Sequence, residues 1–136
     1  LYLAPSNLAG FNVCPFASKG CKAACLNSAG RGLFYSVQRA RIVKTFAYYH
    51  DRGAFAKQLD KEIKSLAIKA GKLGLTPCVR LNGTSDLLWQ AHHRHLFTDN
   101  PGMQFYVIVG LKAKGKAKKD TSGFVIDANK ETETAA

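Results

Sequence analysis

Three of the chain's four cysteines, Cys14, Cys21 and Cys25, fall inside a 33-residue opening stretch that shows neither helical nor strand periodicity and is rich in Gly, Asn, Ser and Pro. An irregular segment of that length is uncommon in a compact domain unless it is functional or tethered by something other than an apolar core. The cysteines supply the means. Three clustered thiols do not pair off as disulfides and fall one short of a closed zinc site, but they suffice for a four-iron cluster with one iron left open. Cys21 and Cys25, four apart, would share a face within one helical turn, and Cys14 must return to them across a loop containing Gly20. Alternatives stay open on the residues alone. A three-cysteine zinc site could be completed by His50, His92, His93 or His95, although C-x6-C-x3-C is an unusual zinc spacing. A redox disulfide from Cys14 to Cys21 or Cys25 would need an oxidising compartment. Cys78, beside an apolar run, reads as a small core residue.

With 136 residues, 46% of them apolar, the chain suits one domain with a sizeable core. No run approaches the roughly 18 apolar residues that span a bilayer, and Leu1-Tyr2-Leu3-Ala4-Pro5 lacks a basic start and apolar run, so no membrane association and a cytoplasmic, reducing setting are expected. The formal charge of +11 favours phosphates or other polyanions as partners. Lys112, Lys114, Lys116, Lys118 and Lys119 concentrate that excess in a segment read as a solvated loop, or alternatively as a nucleic-acid-contacting arm.

Beyond the cysteines the pattern becomes regular. Tyr35, Ile42, Phe46 and Tyr49 recur at helical spacing with Arg39 inside the stripe, where its guanidinium could meet an anion. Phe55, Leu59, Ile63, Leu66, Ala67 and Ala70 mark a second helix beginning near Asp51 and ending near Gly71. Cys78 to Leu81 is a short strand, Leu87 to Leu96 a third helix capped by Thr84 or Ser85, Gln104 to Gly110 a buried strand, and Phe124 to Ile126 one more. His92 and His95 would share a helix face. Helices alternating with short strands predict an α/β fold, either a partial (β/α) barrel or an open parallel sheet with flanking helices and a long N-terminal cysteine loop. The expected organisation is a single domain over 1–136: a cluster loop at 1–33, an α/β core at 34–127 and a frayed tail at 128–136. Ligands in such folds sit at the carboxyl ends of strands, which is where Asn82, Gly83, Thr84, Ser85 and Asp86 fall. A tight turn with a helix cap explains the same residues equally well.

Several motifs carry a family resemblance. Leu3 to Pro15, Gly20-Cys21-Lys22-Ala23-Ala24-Cys25-Leu26, Ala29 to Gly32, Ala40-Arg41, Lys44-Thr45 and Val79 to Asp86 resemble a family of bacteriophage proteins over roughly residues 3–106. That family is in turn similar in outline to radical S-adenosylmethionine enzymes, which usually space their cysteines CxxxCxxC. The resemblance implies a [4Fe-4S] cluster on Cys14, Cys21 and Cys25, and residence in the cytoplasm of an infected host. It implies one of two roles. In the first, an enzyme holds a small molecule such as S-adenosylmethionine with Asn82, Gly83, Ser85 and Asp86, and its carboxylate with Arg39 or Arg41. In the second, an electron carrier or redox sensor docks a partner through its basic surface.

Overall fold

In a computed structural model of the chain, residues 1–107 are described in full, and beyond them the backbone of three strands, 110–113, 116–119 and 124–127. The element order is α1 (Lys19–Ala23), two 3-10 turns (Leu26–Ser28 and Gly30–Leu33), α2 (Tyr35–His50), α3 (Arg52–Lys72), β1 (Cys78–Arg80), α4 (Trp89–His92), α5 (Arg94–Thr98), β2 (Gln104–Val107), β3 (Gly110–Ala113), β4 (Lys116–Lys119) and β5 (Phe124–Asp127).

Helix α3 forms as its sequence dictates. The Asp51 carboxylate accepts a hydrogen bond from Ala54 N at 2.9 Å and caps the first turn. Ala56, Leu59, Ile63 and Ala70 are buried on one face, with Phe55 and Ala67 partly so. Leu75 N donates back to the Ala70 carbonyl across Gly74, whose φ of +66° suits a residue without Cβ and ends the helix. The remaining core is built by Leu3, Val13, Tyr48, Leu81, Trp89, Leu96, Phe97, Met103, Phe105 and Val107.

The sheet is small and mixed. β1 and β2 pair in parallel, Cys78 opposite Gln104 through Arg80 opposite Tyr106, and β5 pairs antiparallel with the other side of β2. A three-stranded sheet with an antiparallel edge cannot close, so no barrel forms among the described residues, and the molecule is a helix-rich α/β mixture. β3 and β4 make a separate antiparallel pair, so the lysine-rich stretch expected as a loop has strand backbone at Lys112, Lys116, Lys118 and Lys119. The side chains of those lysines, and the tail at 128–136, lie outside the described residues.

Three other expectations are corrected. Helix α2 is rotated from the predicted stripe: Tyr35 and Phe46 are 79% and 52% exposed and Arg39 is exposed, whereas Thr45 and Tyr48 are buried. Its inner face is polar because it must supply partners for irregular backbone packed against it. The third helix is not continuous, since Leu88 (φ −82°, ψ 74°) and His93 (φ −137°, ψ 52°) leave helical geometry and divide it into α4 and α5. Neither Thr84 nor Ser85 caps it. Cys78 is exposed at the first position of β1 and does not join the core.

Candidate metal centre

The irregular opening segment divides into two parts of different character. Residues 1–13 belong to the core: Leu3, Ala4 and Val13 are fully buried, and Phe11 stacks on Tyr49 at 4.4 Å between ring centroids. Between residues 14 and 34, by contrast, only Asn27 and Gly32 are buried. No apolar side chain of the stretch that carries Cys14, Cys21 and Cys25 is buried, although half-buried Cys14 packs against the edge of the core.

Polar contacts hold it instead. Asn27 is the hub: its amide nitrogen donates to Gln38 Oε1 at 3.0 Å, its carbonyl accepts from Gln38 Nε2 at 2.8 Å, and its Oδ1 accepts from the Arg41 guanidinium. Gln38 Nε2 also reaches the Gly32 carbonyl. A Cβ at Gly32 would stand 2.6 Å from the Asn27 carbonyl oxygen, so the close approach of the two 3-10 turns requires glycine there. Further along α2, Thr45 Oγ1 accepts from Ala4 N at 2.8 Å and donates to the Arg41 carbonyl. Gln38, Arg41, Thr45 and Tyr48 thus form a polar strip at helical spacing. Apolar periodicity does not register such a strip, and Asn27, two residues after Cys25, falls between the motifs Gly20 to Leu26 and Ala29 to Gly32.

The cysteines are half-buried and differently placed. Cys14 accepts from Ser6 N at 3.2 Å, and its thiol donates to the Thr84 carbonyl at 3.4 Å. Ser6 takes a positive φ of 51° to make that turn. Cys21 lies in α1, which Ser18 caps through Cys21 N. Cys25 follows the end of α1 in extended conformation (φ −68°, ψ 133°), so one continuous turn does not present both sulfurs. Among the described residues no three His, Cys, Asp or Glu side chains are gathered to hold a single metal ion. His92 and His95 are exposed on separate short helices, while His93 is buried with its Nε2 3.2 Å from the Tyr48 hydroxyl. Burial, and then the charges of His95, His92 and Arg52, hold the His93 pKa below the ordinary value.

The strand-end loop 82–86 lies directly beneath this segment. Every residue in it is buried. Asn82 Nδ2 donates to the Leu87 carbonyl at 3.0 Å, Gly83 N to the Leu1 carbonyl at 3.0 Å, and Thr84 Oγ1 to the Leu3 carbonyl. A Cβ at Gly83 would clash with the Leu1 carbonyl and the Tyr2 ring, both at 2.6 Å. Asp86 accepts from Phe16 N at 3.2 Å and its own N–H reaches the Val13 carbonyl at 3.0 Å, which fastens both sides of Cys14. Among the described residues the buried Ser85 hydroxyl has no hydrogen-bond partner. The sequence motif and the cysteine segment are therefore one structural unit. Arg41 is part of it through Asn27, whereas Arg39 is exposed.

Comparison with known proteins agrees with the motif-level resemblance. The chain belongs to the Gene product 88 family, whose model matches residues 1–108. This is a phage-type family, and the match itself says nothing of iron–sulfur chemistry or of radical enzymes. No curated protein and no solved structure matches the chain. No helix among the described residues is long and apolar enough to cross a membrane.

Proposed function

We propose that this chain is a cluster-binding protein in which Cys14, Cys21 and Cys25 hold a [4Fe-4S] cluster and leave one iron open. One observation carries the reading: the segment from 14 to 34 buries only Asn27 and Gly32, so it lacks the buried apolar side chains that hold α2 and α3. A ligand bound by its three thiols would supply that anchor, as metals do in small domains whose binding energy is folding energy. The donor set suits the group, since sulfur ligands select iron–sulfur clusters and zinc; the three thiols are not gathered to one point among the described residues, so ligation would draw the segment together. When bound, such a cluster supplies one-electron redox chemistry and an open coordination position.

The surrounding residues have definable tasks. Ser6 N–H, already directed at Cys14 Sγ, stabilises the thiolate form needed for ligation. The Thr84 carbonyl accepts only the thiol proton, so its bond to Cys14 is given up when that proton leaves. Asp86 holds the backbone before and after Cys14 and so fixes where its sulfur stands. S-adenosylmethionine is the small molecule to test at the open iron. The Ser85 hydroxyl, within the buried 82–86 loop, is its candidate polar contact.

Anaerobic reconstitution with iron and sulfide should yield about four of each per chain. Cys14→Ser, Cys21→Ser and Cys25→Ser should each abolish it, and Cys78→Ser should not. Zinc retained stoichiometrically, or iron uptake indifferent to Cys14→Ser, would overturn the reading. Release of methionine and 5′-deoxyadenosine from S-adenosylmethionine by the reduced, reconstituted protein would make it an enzyme. Failure to bind that cofactor would leave an electron carrier or sensor.

A further inference from the structure

Ser36, Val37, Ala40, Arg41 and Lys44 follow one another at helical spacing and line one side of an open depression of about 260 Å³; Tyr2 forms the other side. The Arg41 guanidinium stands over the Tyr2 ring, 5.2 Å from its centroid. One of its nitrogens is committed to Asn27, while its buried Nε has no hydrogen-bond partner among the described residues. Lys44 shares this pocket. Burial and then the charge of Arg41 lower its pKa, with Glu62 pulling the other way more weakly. No carboxylate pairs with either cation, since Lys64 with Asp60 is the ion pair found among the described residues. Two mutually repelling cations, a buried N–H with nothing to bond and a hydroxyl at Ser36 make a site that an anion would complete. Guanidinium and ammonium side by side suit a phosphate, which accepts from several donors at once. Val37, Ala40 and the Tyr2 ring give the rest of the wall an apolar character, suited to the body of a small organic ligand.

We propose that this depression binds a small phosphorylated molecule, with Arg41 and Lys44 holding the phosphate and Tyr2 covering the organic part. The site stands independently of the cysteines. It reaches them only through Arg41, whose guanidinium also holds the Asn27 hub.

Calorimetric titration of the cluster-free chain at low salt, with inorganic phosphate and with adenosine 5′-monophosphate as probes, tests it. A single saturable site is expected for both, tighter for the nucleotide. Lys44→Met should weaken binding about tenfold or more without touching the Asn27 network, and Arg41→Gln should do at least as much. Lys57→Met, which alters an exposed lysine of α3, should leave affinity unchanged. Absence of saturable binding would overturn the proposal. So would equal weakening by Lys57→Met and Lys44→Met, which would assign the affinity to the diffuse charge of a +11 chain.

Discussion

Helix α3 and the cysteine segment solve the same problem in opposite ways. The helix packs Ala56, Leu59, Ile63 and Ala70 into a continuous core and is closed by Asp51 at one end and Gly74 at the other. The segment from 14 to 34 buries one amide side chain and one glycine. Its shape rests on directional bonds from Asn27, Gln38, Arg41 and Asp86. Apolar burial contributes without regard to direction and tolerates repacking, whereas each hydrogen bond contributes about 1 kcal/mol net and leaves a costly orphan when broken. One region therefore rests on apolar burial, and the other on a few directional bonds that the proposed cluster would reinforce.

Substitutions in the two regions should separate stability from metal loading. Phe105→Ala, at a fully buried core position, should cost about 3–5 kcal/mol in urea unfolding, with iron loading per folded chain unchanged. Asn27→Ala removes the hub and strands Gln38 and Arg41; it should cost about 1–3 kcal/mol and sharply lower iron uptake. Asp51→Ala removes the α3 cap for about 1 kcal/mol and should leave uptake intact. Equal effects of Asn27→Ala and Asp51→Ala on uptake would erase the distinction between the regions.

A smaller effect concerns pH. The folded pKa of His93 lies below that of the unfolded chain, so its neutral form stabilises the fold above the unfolded value of about 6.5. That contribution is lost as pH falls from there through the folded pKa, because the unfolded chain takes up the proton first. The urea midpoint should decline modestly between pH 7.5 and 5.5, and His93→Gln should flatten that slope.

What the sequence discloses follows the same division. The α3 face, its Asp51 start, and strands β1 and β2 are legible because apolar spacing and capping chemistry determine them locally. Leu66 alone departs from the expected face, at 38% exposure. Helix α2 misleads for a physical reason: its aromatics Tyr35 and Phe46 are exposed, while Gln38 and Thr45 serve backbone groups, and Arg41 the Asn27 side chain, contributed by distant residues. Long-range polar pairing leaves no period in a sequence. The late start of α4 at Trp89 is hidden for a related reason, since Asn82 Nδ2 holds the Leu87 carbonyl just ahead of it. Cysteine spacing singles out the segment proposed to hold the cluster; the join of Cys14 to Thr84 and of Phe16 to Asp86 required the fold.

The claim that a bound cluster completes the cysteine segment is tested most directly by amide hydrogen exchange on the cluster-free and reconstituted protein. Residues 15–34 should gain strong protection on reconstitution while α3 stays as it was. Equal exchange across residues 15–34 in the two forms would contradict the account.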